Sequence, residues 1–307
     1  MDRLQALISP KTVALIGASE NAQKLTARPM SFMKMHGFIG DIFPVNPNHA
    51  VIDGVKAYKT LKDIPVRIDY AYIMVGTSHV ISALEDCARA KVKVVSILAD
   101  GFAEKGKEGK QLQAKVVQIA KHAGILLIGP NSMGIVDTRS RFCCTTNAAF
   151  RSEQLKSGRY AVISQSGSLI GTLLSRGNER GTNFSTFVSV GNEACVSVGS
   201  IGSLLLDDHD IDGFILFMET VRDPEGLAQF ARQAFRKGKP IIVYMVGQSD
   251  EAQALAVSHT GAMVGNAEAT KAYFKSIGIS QVNQFEAIFE APAVLALSNR
   301  FQNRQKK

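Results

Sequence analysis

The chain has 307 residues, a hydrophobic fraction of 46%, a mean hydropathy of +0.05 and a formal net charge of +8. This length favours two domains, each able to bury its own core. No apolar run reaches about 18 residues, which excludes a membrane span, and the N-terminal stretch lacks the features of a secretory signal peptide. The basic charge comes without an RNA-binding signature, a basic helix or interleaved aromatic residues. We therefore expect an anionic ligand and no nucleic-acid or membrane partner.

The cysteines show no C-x-x-C spacing, and two of them are adjacent. This pattern argues against a zinc site, and no other metal site is predicted. It also argues against a disulfide framework and favours the reducing cytoplasm. A reactive thiol stays open as an alternative, but buried small hydrophobic residues are the favoured interpretation. The four residues are Cys87, Cys143, Cys144 and Cys195.

Short apolar runs of β type alternate with helical stretches through the first half of the chain. Most runs are too apolar to face water on one side, as expected for a parallel sheet covered on both faces. The alternation predicts an α/β fold with a doubly wound sheet. The predicted strands are Val13–Ile16, Ile42–Val45, Tyr70–Val75, Val92–Leu98 and Ile125–Ile128, and the clearest predicted helices are Val80–Ala90 and Gly109–His122.

After Gly134, a polar stretch with few apolar repeats interrupts this pattern, so we place a domain boundary near residue 150. The predicted domains are residues 1–145 and 150–307. In the second domain the alternation restarts and resembles a flavodoxin-like layer. Its predicted strands are Tyr160–Ile163, Ser185–Val190, Gly213–Met218, Pro240–Val246 and Ile279–Val282, and its predicted helices are Leu169–Arg180, Pro224–Arg236, Ala267–Ser276 and Phe285–Leu297.

Glycine-containing loops follow several of these strands, where open α/β sheets bind their ligands. In the first such loop, Gly17-Ala-Ser19 stands where a dinucleotide-binding protein has its glycine-rich turn. The motif G-x-G-x-x-G needs three glycines, but Ser19 and Ala22 occupy the second and third positions. A nicotinamide dehydrogenase is therefore disfavoured, whereas a nucleotide-containing ligand bound by a variant loop stays open.

The segment ISQSGS leads from a strand into a helix that we expect to begin at Ser168 or Leu169. Backbone N–H groups and the dipole at a helix N-terminus can hold a phosphate. The hydroxyls of Ser166 and Ser168 could add donors to such a site. Ordinary N-capping by a serine is the alternative.

Two further residues have the chemistry for phosphoryl transfer. His259 lies in VSHTGAMVGN, and imidazole can act as a nucleophile that forms a covalent intermediate. A histidine in a surface loop is more commonly just polar. Glu219 ends an apolar strand, where a carboxylate is often solvated. If it faces the histidine, it can instead orient the ring and fix its proton.

Six segments occur together in one order: VALIGAS, FIGDIFPVNPN, IGPNSMGIV, AVISQSGSL, FSTFVSVGNEA and AVSHTGAMVG. Their order and spacing resemble the NDP-forming acyl-CoA synthetase superfamily, specifically the α subunits of succinyl-CoA synthetase and of ADP-forming acetyl-CoA synthetase. The resemblance covers nearly the whole chain. It implies an N-terminal Rossmann-like CoA-binding domain, residues 1–145. A flavodoxin-like, succinyl-CoA synthetase-like domain that carries the phosphohistidine loop, residues 150–307, would follow it.

The resemblance also implies roles for individual residues. His259 matches the family's phosphorylated histidine, and Glu219 matches the carboxylate that supports it. The family's phosphate-holding loop matches Ser166, Gly167 and Ser168. The family's CoA contacts map onto Gly17, Ser19, Glu20, Asn21, Ala22, Asn46, Asn48, Val75, Leu98, Ala99 and Asp100.

The family's reaction has three steps. A nucleoside triphosphate phosphorylates the histidine, an organic acid takes the phosphoryl group to give an acyl phosphate, and the CoA thiol attacks that acyl phosphate. In the family, an ATP-grasp domain binds the ATP or GTP and a Mg²⁺ ion. No such domain is recognisable in this sequence. We therefore expect an ATP-grasp β subunit as partner in a hetero-oligomer, or a longer protein of which this chain is a part.

Three places depart from the family's pattern. Met245 and Gln248 lie in a segment where the ADP-forming enzymes carry lysine and arginine, Cys195 replaces an aspartate, and Gly76 replaces a proline. These positions bear on the acid substrate, for which small aliphatic and aromatic acids both stay open. The alternative function is a non-catalytic CoA-binding or regulatory protein that keeps the fold. The presence of both His259 and Glu219 favours the enzyme.

Overall fold

The computed structural model describes residues 2–151, 154–246, 267–292 and 294–295. Within these ranges the chain forms two sheets of mainly parallel strands, with helices packed around them. No helix in the described ranges is both long and apolar enough to cross a membrane.

The first sheet has five parallel strands among the described residues. Its strands are β1 (Thr12–Ile16), β2 (Asp41–Val45), β5 (Tyr70–Ile73), β6 (Val94–Ile97) and β7 (Leu126–Ile128), and β3 (Val51–Ile52) and β4 (Val55–Lys56) form a small hairpin beside it. The strand order is β2-β1-β5-β6-β7. The helices of this half are α1 (Arg3–Ile8), α2 (Arg28–Met35), α3 (Val80–Arg89) and α4 (Lys107–Ala123).

The second sheet repeats this plan and adds an antiparallel extension. Its strands are β8 (Gly134–Asp137), β9 (Phe142–Thr145), β10 (Tyr160–Ser164), β11 (Phe184–Ser189), β12 (Gly213–Met218), β13 (Ile241–Met245) and β14 (Ser280–Val282). The order is β14-β13-β12-β10-β11-β8-β9, in which β8 pairs antiparallel with β11 and with β9. Its helices with both ends described are α5 (Gly167–Arg180), α6 (Val198–Leu205), α7 (Pro224–Arg236) and α8 (Ala267–Ser276), and residues 287–292 and 294–295, within the last predicted helix, are also helical.

The parallel strands predicted from the sequence are confirmed to within two residues at each end, because apolar runs of this kind mark buried strands. The helix that follows ISQSGS begins at Gly167, slightly before the predicted start. Helix α6 was not predicted, because its sequence, VGSIGSLL, contains two glycines, which disfavour a helix. At Gly199 the absence of a side chain admits α7, since a Cβ there would lie 2.5 Å from the carbonyl carbon of Gly226.

The division between the sheets falls earlier than the boundary placed near residue 150. Strands β8 and β9 lie within residues 1–145, yet they extend the second sheet through β11. Their residues are all buried, although the surrounding stretch is polar. Burial is possible because the polar groups are paired: Asp137 accepts hydrogen bonds from Thr186 Oγ1 at 2.8 Å and from Arg139 Nη2 at 2.6 Å.

A short segment, residues 129–134, joins the two sheets, and we call it the seam. Ser132 is fully buried there, and its backbone N–H donates to Ile97 O of the first sheet at 3.0 Å. Its hydroxyl donates to Ser189 O of the second sheet at 2.6 Å, and its carbonyl accepts from Tyr72 Oη at 2.8 Å. The seam therefore links the two sheets through the hydrogen bonds of a fully buried residue.

Gly109 allows helix α4 to lie against the loop that precedes it. A Cβ at this position would lie 1.8 Å from Phe102 O. Alanine normally favours a helix over glycine by about 1 kcal/mol, but here the backbone contact opposes it. We expect Gly109→Ala to destabilise the protein by about 1–3 kcal/mol. Thermal denaturation beside Lys110→Ala, an exposed neighbour in α4, measures the effect. A melting temperature equal to that of the Lys110 variant would contradict this close packing.

Candidate functional site

Each sheet has a switch point, which is the place where the strand order reverses, and a crevice opens there at the carboxyl ends of the strands. In the first sheet the strand order reverses between β1 and β5, and in the second it reverses between β10 and β12. Open α/β sheets bind ligands in the crevice at such a point. The loops that end β1, β5, β10 and β12 are therefore the first places to examine.

The switch point of the first sheet opens into a cavity of about 460 Å³, which we call the outer pocket. Gly17 has φ +88°, and a Cβ there would lie 2.9 Å from Val75 Cγ1, so glycine keeps this crevice open. Asn46 Nδ2 donates to Ala18 O at 2.9 Å and holds the β1 loop in place. Four of the predicted CoA-binding residues line this pocket together: Gly17, Asn46, Asn48 and Val75.

The other predicted CoA-binding residues lie in two further places. The loop from Ser19 to Ala22 is largely exposed, and Glu20 Oε2 lies 3.6 Å from His49 Nδ1, next to the outer pocket. Leu98 and Ala99 are half-buried after β6, and Ala99 O accepts from Asn131 N of the seam at 2.9 Å. Asp100 lines a second cavity. The structure therefore brings the predicted residues to one edge of the first sheet without gathering them in one pocket.

The second cavity lies where the carboxyl edges of the two sheets face each other across the seam, and we call it the intersheet cavity. Its volume is about 550 Å³. Loops of both sheets form its wall, so neither half of the chain encloses it alone. Its lining residues are Asp100, Ala103, Glu104, Lys105, Gln113, Asn131, Met133, Gln165, Ser166, Gly167, Ser168, Gly191, Asn192, Glu219 and Arg222.

The N-terminus of α5 opens into this cavity. Ser166 occupies the N-cap position, but its hydroxyl makes no capping hydrogen bond within the described residues and lies 3.2 Å from Ser168 Oγ. Simple side-chain capping is therefore not its role here. The first backbone N–H groups of a helix lack intrahelical partners, and residues 166–168 line the cavity. A Cβ at Gly167 would lie 2.5 Å from Met133 Cγ, so only glycine fits against the seam.

Glu219 follows β12 and reaches the same cavity as the α5 N-terminus. Gln165 holds its backbone: the Gln165 Oε1 atom accepts from Glu219 N at 2.6 Å and from Thr220 N at 3.0 Å. The structure thus places Glu219 together with Ser166, Gly167 and Ser168. His259, like Gln248, lies outside the described residues, so its position relative to Glu219 stays a prediction.

A buried carboxylate lies beneath the cavity. The Glu193 side chain is only 2% exposed, and its Oε2 accepts from Val198 N at 2.8 Å. Its Oε1 accepts from Gln165 Nε2 and from Arg222 Nη1, the latter at 3.3 Å. Burial raises the pKa of Glu193, although the Val198 N–H, Arg222 and Gln165 act in the opposite direction. The guanidinium of Arg222 lies between this carboxylate and the cavity.

A polar clamp joins the two halves across the cavity. Asn192 Nδ2 donates to Glu104 Oε2 at 2.5 Å and to Gln113 Oε1 at 3.2 Å. Glu104 Oε1 accepts from the backbone N–H groups of Gly101 at 2.6 Å and Phe102 at 3.0 Å. Partial burial alone would raise the pKa of Glu104, but these backbone and amide hydrogen bonds together lower it.

Sequence reasoning did not single out Gln165, Glu193, Arg222, Asn192 or Glu104. The sequence indicated the loops that carry four of these residues, because ISQSGS, SVGNE and FMETVRD each lie at the end of a predicted strand of the second half. The sequence alone does not show which side chains of these loops belong to the site, since each one bonds to a partner that is distant in sequence. Three of the cysteines, Cys87, Cys143 and Cys144, are buried as expected, and Cys195 is half-buried.

Comparison with family models agrees with this architecture. Residues 11–138 match the model of the CoA binding domain, and residues 157–295 match that of the succinyl-CoA ligase like flavodoxin domain. The two matches cover most of the chain in the predicted order. The chain therefore belongs to the NDP-forming acyl-CoA synthetase superfamily, and the predicted fold class is confirmed.

Individual relatives point to the same superfamily. The chain is 35% identical to subunit alpha of the ADP-forming acetate–CoA ligase I of Pyrococcus furiosus, over 90% of this chain and 60% of that subunit. It is 32% identical to the ADP-forming 4-hydroxybutyrate–CoA ligase of Nitrosopumilus maritimus, over 92% of this chain and 40% of that ligase. The chain thus spans 40% to 60% of the length of these curated relatives.

A solved structure has the same fold. The dinucleotide forming acetyl-coenzyme A synthetase 1 of Candidatus Korarchaeum cryptofilum, in complex with phosphate and ADP, superposes with a TM-score of 0.85 at 28% identity. The match covers 94% of this chain and 61% of that one. Both sheets and their arrangement are therefore shared with a member of the superfamily.

The lowered pKa of Glu104 predicts a pH dependence of stability. A carboxylate whose pKa lies below its ordinary value, 4.5, stabilises the fold above that value and loses this effect as the pH falls through the folded-state pKa. We expect Glu104→Gln to lower the melting temperature at neutral pH, and this deficit to shrink as the pH falls below 4.5 and through the folded-state pKa. Glu108→Gln, at an exposed position of α4, is the control. A deficit that is constant at every pH would contradict the charge effect.

Proposed function

We propose that the chain is the CoA-binding, phosphohistidine-carrying α-type part of an NDP-forming acyl-CoA synthetase. One observation supports this most directly: the intersheet cavity brings the α5 N-terminus and Glu219 to the edge of the CoA-binding half. A synthetase of this superfamily has to deliver a phosphoryl group to a carboxylate oxygen and a CoA thiol to the carbon of the same carboxyl group. A cavity shared by the two halves meets that requirement.

In this proposal His259 takes the phosphoryl group from a nucleoside triphosphate, and the nucleoside diphosphate leaves. The carboxylate of an organic acid then attacks the phosphorus, which gives an acyl phosphate and frees the imidazole. The CoA sulfur next attacks the acyl carbon, the C–O bond to phosphate breaks, and the thiol proton leaves with the phosphate. Backbone N–H groups at the α5 N-terminus and the hydroxyls of Ser166 and Ser168 would hold the phosphoryl oxygens.

Glu219 would act on His259 and not on the substrate. A carboxylate that accepts the N–H of one ring nitrogen leaves the other nitrogen unprotonated and nucleophilic. It also stabilises the positive charge that the ring gains on phosphorylation. Glu219 suits this role because its backbone is held firmly by Gln165 and its side chain lines the cavity.

CoA would span both cavities. The outer pocket, with Gly17 and the amides of Asn46 and Asn48, suits the nucleotide end, where backbone approaches closely and neutral donors are available. From there the thiol arm would pass Val75 and Leu98 to reach Asp100 at the intersheet cavity. The acid is proposed to be a small organic acid, aliphatic or aromatic, since relatives are named as CoA ligases of acetate and 4-hydroxybutyrate and as a trans-feruloyl-CoA synthase.

The nucleotide site is proposed to lie on a partner. One relative is a subunit alpha, whereas others are single chains more than twice as long as the matching region. An ATP-grasp β subunit, or the corresponding part of a longer chain, would bind ATP or GTP with Mg²⁺ and supply the phosphoryl group. The described residues supply the CoA pocket, the α5 N-terminus and Glu219.

The protein is expected to bind CoA much more tightly than NAD, measured by titration calorimetry. Gly17→Ala should weaken CoA binding by about tenfold, or 1.4 kcal/mol, because the new Cβ meets Val75 and the backbone of Met74. Gly54→Ala is the matched control, since Gly54 also has positive φ but has open space around it. Equal affinity for NAD, or an unchanged CoA affinity in the Gly17 variant, would contradict the proposed CoA site.

His259 should become phosphorylated when the chain is mixed with its ATP-grasp partner, Mg²⁺ and labelled triphosphate, or with acyl-CoA and labelled phosphate. The label should be lost in acid and survive alkali, the reverse of a serine ester. His259→Asn should abolish labelling and leave CoA binding unchanged. Glu219→Gln should slow labelling by about 10- to 100-fold, because an orienting group assists the nucleophile.

His209→Asn is the control for this experiment, because His209 is an exposed histidine of the same half. It should label at the wild-type rate. If His259→Asn still labels and turns over, the catalytic role is wrong. A non-catalytic CoA-binding function would then account for the conserved fold of the two halves.

A further inference from the structure

Gln165 is a buried glutamine whose side chain uses its full hydrogen-bonding capacity. It is 7% exposed. Its Oε1 accepts from Glu219 N and Thr220 N, and its Nε2 donates to Thr220 O at 2.8 Å and to Glu193 Oε1. An amide has two acceptor sites and two N–H donors. All four are engaged, so the side chain has one orientation that satisfies every partner.

These bonds connect three strand ends. Gln165 itself follows β10, Glu193 follows β11, and Glu219 with Thr220 follows β12. The backbone N–H of Gln165 also donates to Phe217 O at 3.0 Å, one residue before the end of strand β12. The Gln165 side chain therefore fixes the positions, relative to one another, of the three loops by which the second half lines the intersheet cavity.

We propose that Gln165 is a positioning residue that fixes the backbone of Glu219, and with it the reach of the Glu219 carboxylate towards the phosphorylated histidine. The inference rests on the proposed function. Gln165 lines the cavity, but its amide offers no donor or acceptor to the reacting atoms, because all four hydrogen-bonding positions are used within the protein. Its effect passes through the two N–H groups of Glu219 and Thr220, whose direction determines where the Glu219 side chain begins.

The position requires an amide rather than a carboxylate. A glutamate at 165 could accept from both N–H groups, but it has no donor for Thr220 O and Glu193 unless it is protonated. Ionised, it would lie against the carboxylate of Glu193, and two adjacent buried carboxylates share a proton. Two other charged groups near this pair, Glu219 and Arg222, lie on the loop after β12. Across the cavity lie Asp100, Glu104 and Lys105.

The rate of His259 labelling should therefore depend on pH differently in the Gln165→Glu variant than in the wild type. At low pH the shared proton replaces the N–H donor to Glu193 but not the one to Thr220 O, and the loop keeps its place because the carboxyl oxygen still accepts from the Glu219 and Thr220 N–H groups. As the pH rises the pair loses this proton, the two carboxylates repel each other, and the loop that carries Glu219 shifts. The wild-type amide does not titrate, so the wild type lacks this additional loss.

The test measures the rate of His259 labelling for the holoenzyme with its ATP-grasp partner between about pH 6 and pH 9. Gln165→Glu should label within about threefold of the wild type at the low end and at least about tenfold more slowly at the high end. Gln165→Leu should be slow throughout, and CoA affinity should be unchanged in both. Thermal denaturation at each pH shows that the variants are folded.

Gln229→Leu and Gln229→Glu are the controls. Gln229 is an exposed glutamine of α7 in the same half, so neither substitution buries a charge or removes a buried hydrogen bond. Both variants should label like the wild type at every pH. A Gln165→Glu profile parallel to that of the wild type would overturn the role of Gln165. Absence of label on the wild type would instead refute the proposed function.

Discussion

The arrangement of the two sheets depends on one buried residue of the seam that is hydrogen-bonded to both of them. Ser132 donates its N–H to the first sheet at Ile97 and its hydroxyl to the second sheet at Ser189. Leaving a buried polar group without a partner costs about 1–3 kcal/mol, so each of these bonds disfavours any other arrangement of the sheets. The Tyr72 hydroxyl adds a third bond at the Ser132 carbonyl. These three bonds hold the two sheets in the arrangement in which their carboxyl edges face each other.

The intersheet cavity follows from that constraint, and so do the glycines around it. A Cβ at Gly191 would lie 2.2 Å from Pro130 O, and one at Gly167 would lie 2.5 Å from Met133 Cγ, both on the seam. The loops after β10 and β11 can approach the seam this closely because glycine occupies positions 167 and 191. Their close approach brings the α5 N-terminus opposite Asp100 and Glu104. Each half folds around its own sheet, and both halves contribute residues to the cavity.

The parallel strands were predictable because burial on both faces leaves a local signal, an apolar run such as Gly213–Met218. Strands β8 and β9 left no such signal. Their burial depends on pairing with β11 and on Asp137 meeting Arg139 and Thr186, which only the folded chain brings about. The same reason explains the site: Ser166 and Glu219 stand in recognisable loops, whereas Gln165 and Glu193 gain their roles from partners 54 and 28 residues away.

The two halves show why fold and chemistry have to be argued separately. Counted along the chain, their parallel strands follow the same order, with the switch point between the first and third strands. The first switch point carries Gly17 and neutral amides, which suits close contact with a nucleotide-containing ligand. The second carries a helix N-terminus, a carboxylate and an arginine held by the buried Glu193. Such a set suits a phosphoryl group that must be held and then released, because donors and a negative charge meet in one place. In the proposed function, the topology common to both halves leaves the difference in chemistry to a few strand-end residues, and the seam would let the two sites act on one molecule.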